Sequence, residues 1–454
     1  VTDAASMPDR SNSAWRHTLR ALRFRNYRLF FFGQGVSLIG TWMTRVAISW
    51  LVYLLAKDSP TAVKAATILG IVGFAGQIPM CILAPFAGVI VDRMNRYHLL
   101  IVTQILSMLQ SLALALLAWQ KTINIPWVIV LAAAQGIINA FDVPARQSLV
   151  VELIEDRNDL PNAIALNSSM FNSARLIGPA IGGVLVAVFG PAMCFLIDGL
   201  SYIAVIASLL AMKVPEAAKR KIVGHPLQQL REGFAYAFGF PPVRAILLLI
   251  SLISFTSAAL QVLLPIYADR IPAPIHGAAT FGFLLAAIGI GALLGSIYLA
   301  ARKSVRGLGV VLTVAAALFG FASIAFAFAH TLWLSFPLAM ICGAGMVVHM
   351  ASVNIVLQTL VDDHMRGRLM SFFMIGVMGL APFGSLAAGA LADRIGITST
   401  LVLVGAISVV GAGLFTLKIP AIRPLVREIY KRKGIIPEVA TGLNEAARLA
   451  PPED

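Results

Sequence analysis

Long unbroken apolar runs alternate along this chain with short polar segments. A helix rises about 1.5 Å per residue, so about 20 apolar residues cross about 30 Å of hydrocarbon. Runs of that kind cover residues 29–56, 66–91, 98–119, 125–149, 163–188 and 191–212, and a second set covers 244–268, 278–301, 308–329, 332–358, 369–391 and 398–418. They lack the period-two alternation of a spanning barrel, which excludes strands. The pattern predicts an all-α membrane protein with twelve transmembrane helices in two six-helix halves, 29–212 and 244–418. Between the halves, residues 213–243 hold Lys219-Arg220-Lys221 and an amphipathic stretch from Leu227 to Phe240. That segment reads as a cytoplasmic linker with a short helix at the membrane surface. Residues 1–28 and 419–454 read as cytoplasmic tails.

Composition agrees with lipid as the solvent. Charged residues make up 12% and hydrophobic residues 59% of 454, against about 25% charged in a soluble chain, and the mean hydropathy is +0.85. The net charge of +14 could point to nucleic acid, but no aromatic-interleaved basic stretch or recognition module is present, so nucleic acid is excluded as a partner. Instead the basic residues set orientation. With both termini cytoplasmic, Arg20, Arg23, Arg25 and Arg28, Arg93 and Arg96, Arg146 and Arg157, Lys219 to Lys221, Arg302 to Arg306, Arg366 and Arg368, and Lys431 to Lys433 all lie inside. Outside loops keep Lys57, Lys64, Lys121, Arg270 and Arg394. The run after residue 28 is too long for a signal-peptide core and reads as a retained first span. Cys81, Cys194 and Cys342 sit inside apolar runs with no CxxC pair, so they read as packing residues and no metal or cofactor is expected.

The halves repeat weakly. Gly88-Val89-Ile90-Val91-Asp92-Arg93-Met94-Asn95-Arg96 follows span two, and Gly295 to Lys303 follows span eight with the glycine and terminal base kept. Span five carries Gly178-Pro179 and Gly182-Gly183, and span eleven carries Pro382, Gly384 and Gly389 at comparable depth. Two parallel repeats of six spans match the secondary-transporter plan.

Here the sequence resembles the major facilitator superfamily. Gly88-x-x-x-Asp92-Arg93-x-x-Arg96 is similar to its cytoplasmic loop 2–3 motif, with Asn95 where glycine is common. Gly178-Pro179-x-x-Gly182-Gly183 resembles the fifth-span motif of its exporters. Gly33-Gln34-Gly35 through Met43, Pro144-Ala145-Arg146-Gln147 and Arg366 to Ser371 look like the branch containing the enterobactin exporter and related drug-efflux proteins. The resemblance covers residues 22–418. It implies a monomeric antiporter in the bacterial inner membrane that exports a small organic molecule, siderophore-like or drug-like, by alternating access with proton entry. One departure bears on coupling. Drug–proton antiporters carry an arginine three residues before Gln-Gly in span four, and here Gln135-Gly136 is preceded there by Ala132.

Several residues carry physical expectations. Asp92, at a cytoplasmic helix end, can pair with Arg146 and latch the halves, or Arg93 and Arg96 only fix topology. The Gly-Pro-Gly-Gly run either seals span five against the other half, with Gly182 as the test position, or serves plain close packing. Charges inside the bilayer are costly unless paired or hydrated. Arg45 or Arg175 is expected to pair with Asp198, and Asp142 with Arg146 four residues on. Asp198 is the preferred site for a coupling proton. His349 can titrate or pack, and Gln34, Gln135, Asn139, Asn167, Asn172, Gln261, Asn354 and Gln358 line a polar cavity or bond across helices. No GxxxxGK[ST], HExxH or GxSxG sequence is present, which argues against pump and hydrolase chemistry. The second function class is importer or lipid flippase on the same fold, and a receptor or enzyme is remote.

Overall fold

The computed structural model describes residues 19–57, 64–213, 234–272, 277–302 and 304–433. Among these, twelve helices are long and apolar enough to cross a membrane, and no strand is present. The first half holds α1 (Arg25–Lys57), α2 (Ala65–Arg93), α3 (Arg96–Trp119), α4 (Ile125–Glu152), α5 (Leu160–Phe189) and α6 (Pro191–Leu210). The second holds α7 (Pro241–Arg270), α8 (Ala278–Ala300), α9 (Leu308–Ala327), α10 (Leu332–Leu360), α11 in two segments (Asp363–Met378 and Ala381–Ile395) and α12 (Ile397–Arg432).

Local chemistry sets the ends. Asn95, the position that departs from the loop 2–3 pattern, caps α3 by accepting from the Tyr97 and His98 amides at 3.0 and 3.3 Å. Asn124 caps α4 in the same way through Trp127. The α5–α6 and α11–α12 corners are built alike: Gly190 and Gly396 take φ of +80° and +85°, a region L side chains rarely adopt. This shared corner is the internal repeat expressed in backbone geometry. Pro382 interrupts the ladder of α11 and splits it at Gly379–Leu380, whereas α5 continues as one helix through Pro179.

One boundary differs from the sequence reading. The last helix does not end at 418 but runs to Arg432 through Pro420 and Pro424. Ile422, Val426, Ile429 and buried Tyr430 form an apolar stripe on its inner side, while both prolines face out. Lys433 donates from Nζ to the carbonyls of Thr359 and Val361 at 2.9 and 2.8 Å, capping the end of α10. In the linker, residues 234–239 are helical; Lys219-Arg220-Lys221 and Leu227 lie outside the described residues, as do residues 1–18 and 434–454.

The halves meet unevenly. At the end opposite the termini, one hydrophobic core runs from Trp50, Leu51, Ile68 and Leu69 of the first half into Leu263, Phe281 and Leu284 of the second. At the termini end, Tyr27, Phe30, Leu100, Leu149 and Leu209 form a core confined to the first half. Two helix crossings make most of the contact between the halves, α5 on α8 and α2 on the second segment of α11. Backbones touch there because glycine admits them. A Cβ built on Gly183 would lie 2.8 Å from Gly282 Cα, and one on Gly70 would lie 2.7 Å from the Ser385 carbonyl. Toward the termini this closeness is lost, since a Cβ on Gly88 of α2 or Gly367 of α11 would meet open space. The protein is shut at one end and open at the other.

Candidate functional site: the apex of a one-ended cavity

Arg45 lies deep within the protein and is nevertheless exposed, a combination that places it on the wall of an internal space. Beyond Arg45, toward the end opposite the termini, the helix is largely buried in the shared core. Arg175 of α5 reaches the same level, where α5 and α8 still touch: a Cβ on Gly289 would be 3.2 Å from Leu176 Cα. Trp42 joins the two arginines. Its ring centroid is 4.5 Å from the Arg45 guanidinium carbon and 5.8 Å from that of Arg175. Phe171 meets the indole edge-on at 5.8 Å. The group therefore caps the open cavity just beneath the closed crossing.

Neither arginine pairs with Asp198, so that expected bridge is corrected. Asp198 is buried on α6 and faces into the first half, where Oδ2 accepts from Ser111 at 2.8 Å and Oδ1 lies against Gly40 with no hydrogen-bond partner. The wrong partner was expected because hydropathy gives depth but not the direction a side chain takes around its helix.

The second expected pair is formed. Arg146 Nη2 lies 3.0 Å from Asp142 Oδ2, and Asp142 Oδ1 also accepts from Thr103 at 2.9 Å and Gln104 at 2.7 Å. Asp142 thus knits α4 to α3. The side chains of Asp92 and Arg93 lie outside the described residues, so the expected latch is untouched by this geometry. Arg96 pairs with Glu152, tying the start of α3 to the end of α4.

The fifth-span motif divides between two duties. Gly178 and Gly182 meet α1, where Cβ atoms would lie 2.9 Å from the Ile39 carbonyl and 2.9 Å from Met43 Cα. Pro179 and Gly183 meet α8 across the interface. The seal between halves therefore uses Gly183, and Gly182 packs within its own half. His349 is fully buried, and its Nδ1 lies 2.8 Å from the Leu312 carbonyl, which makes it a strut between α10 and α9. Gln135 donates to Ser107 at 3.4 Å and to Asn139 at 3.2 Å, Gln358 donates to Asn354, and Gln34 is buried with its carbonyl oxygen unpartnered.

Two acidic clasps at the closed end escaped the sequence reading. Asp269 at the end of α7 accepts from Tyr53 at 2.6 Å and from Lys57 at 2.9 Å, both on α1. Asp393 at the end of α11 accepts from the Thr67 backbone amide at 2.8 Å, in the first turn of α2, and Lys64 donates to the Asp393 carbonyl at 3.1 Å. The α2 N-cap residue, Lys64, makes no side-chain cap of its own, so a carboxylate from the other half supplies it. A signal was present: Ala268-Asp269-Arg270-Ile271 and Ala392-Asp393-Arg394-Ile395 are one tetrapeptide at the ends of two spans. Removing a cap costs about 1 kcal/mol, so Asp393→Ala should weaken the closed end by about fivefold. Spin-label distances between the Thr67 and Asp393 ends of α2 and α11 would lengthen in part of the population. Asp393→Asn, which keeps an acceptor, should change them less.

Residues 16–434 match the family described as transmembrane secretion effector. The chain is 27% identical to the staphyloferrin A transporter of Staphylococcus aureus, over 83% of this chain and 92% of that one. It is 28% identical to the multidrug efflux pump Tap of Mycobacterium tuberculosis, over 87% and 91%. Its fold is similar to the crystal structure of a bacterial homologue of the human lysosomal transporter Spinster, with a TM-score of 0.62 at 16% identity, over 90% and 98% of the two chains.

Proposed function

Since the chain belongs to the transmembrane secretion effector family, we propose that it exports a small organic molecule from the bacterial cytoplasm across the inner membrane. It is a twelve-span membrane transporter of the major facilitator type. The reading rests on one observation above others: glycine-tight crossings between the halves at the end opposite the termini, with deep-lying but accessible Arg45 beside Trp42 and Arg175 beneath them. Lysine and arginine placement supports a cytoplasmic location for that end. The conformation is then the loading state of an exporter. Opening the two glycine crossings while the termini end closes would release cargo outside. The efflux relative supports this direction.

Proton antiport is part of the proposal, with Asp198 as the carrier. Asp142 has Arg146, Thr103 and Gln104 as partners and is better suited to holding α3 and α4 together. Asp198 has one oxygen that accepts no hydrogen bond, where a proton could be carried. Its contacts with Ser111 of α3 and Gly40 of α1 place it where its charge state could alter how α1 sits.

The test is transport in inside-out vesicles across a panel of organic anions and amphipathic drugs, with and without a pH gradient. Accumulation driven by the gradient is expected. Uptake by right-side-out vesicles with no accumulation in inside-out ones would overturn export. Asp198→Asn should abolish the response to the gradient while leaving substrate binding within about twofold, as expected when a titrating group rather than a binding contact is removed. Unaltered gradient dependence would remove Asp198 from the mechanism.

A further inference from the structure

The apex cluster contains an unusual charge arrangement. Arg45 and Arg175 stay charged under all ordinary conditions and together carry ten N–H donors. Neither makes an ion pair or a hydrogen bond with any described residue. Instead both guanidinium groups gather on one indole, close enough to repel each other. A single cation on an aromatic face is a common structural contact. Two cations on one ring, deep in a membrane protein and without an acid, lack the counter-charge that intramembrane arginines ordinarily find.

We propose that Arg45, Trp42 and Arg175 form a binding site for a small organic dianion with a flat face, of the aromatic dicarboxylate class. Each guanidinium presents a planar fork that matches a carboxylate bidentately. Trp42 and Phe171, ring centroids 5.8 Å apart and edge to face, form an apolar corner for the ligand's ring. Ligand binding would also bridge α1 to α5, joining the element that carries Tyr53 and Lys57 of one clasp to the element that carries Gly183 of one crossing. The same field excludes amphipathic cations, which separates this site from one built for cationic drugs.

The assignment rests on the cavity's being a substrate cavity, but its test does not rest on export. Purified protein in nanodiscs, with no gradient, would be titrated calorimetrically with terephthalate, its neutral dimethyl ester and tetraphenylphosphonium. Terephthalate should bind at least about tenfold more tightly than the ester, as expected for two charge-assisted contacts, and tetraphenylphosphonium should not compete. Arg45→Gln and Arg175→Gln should each weaken terephthalate at least about tenfold, and Arg45→Lys, which keeps charge but loses the fork, should be intermediate. Trp42→Phe should weaken terephthalate and its ester alike. If a glutamine variant does not fold, the lysine variant and the ligand ranking on unaltered protein still decide. Equal binding of ester and dianion, or unchanged affinity in Arg45→Gln, would overturn the site while leaving export standing. Arginine-dependent binding with no transport in vesicles would keep the site and remove export.

Discussion

Gly183→Leu is expected to force α5 from α8 and shift the protein out of its closed-end conformation. A Cβ there would already lie 2.7 Å from the Ala278 carbonyl and 2.8 Å from Gly282 Cα, so the obstacle is backbone and cannot rotate away. Overpacking of this kind costs about 1–3 kcal/mol, which corresponds to a population shift of about 5- to 150-fold. Spin labels at the ends of α5 and α8 would report longer distances, and transport would fall as the loading state empties. Gly70→Leu on the equivalent α2–α11 crossing should act in the same direction. Gly88→Leu should do the reverse, because its side chain meets open space here and would be crushed only when the termini end closes. Equal effects from Gly88→Leu and Gly183→Leu would argue against two alternating ends.

The other large effect concerns folding rather than gating. Asp142→Ala leaves Arg146 in a half-buried site without its partner and orphans the Gln104 amide donor, while Thr103 falls back on the Leu100 carbonyl. Breaking a buried pair from one side costs about 3–5 kcal/mol. The variant should lose most of its folded yield, or several degrees of melting temperature in detergent. Replacing both charges, as Asp142→Leu with Arg146→Met, should recover much of that loss because no uncompensated charge remains. If the double variant folds but does not transport, Arg146 also serves the cycle.

The contrast between Asp142 and Asp198 shows where sequence reasoning reaches. Asp142 and Arg146 stand four residues apart on one helix, so their pairing follows from helical geometry alone. Asp198 and either arginine lie on different helices, and depth in the membrane was the only guide. Depth matched, but direction did not: Asp198 faces Ser111 and Gly40, while Arg45 and Arg175 face Trp42. A similar limit hid the clasps. Tyr53 and Asp269 are 216 residues apart, and Thr67 and Asp393 are 326 apart. The repeated Ala-Asp-Arg-Ile marked the acids, yet nothing in the chain named their partners. Gly183 was legible as part of a motif, but its facing helix was not.

By itself the sequence determined the twelve spans, their division into two repeated halves and the asymmetry of charge between their ends. Those features depend on hydropathy, charge and repetition along the chain. Only the tertiary structure decided which end is shut, which glycine touches the other half, and which buried charges lack an acid. These depend on how each helix is rotated about its axis and which helix it faces, and a hydropathy pattern that is apolar on every side leaves that rotation unspecified.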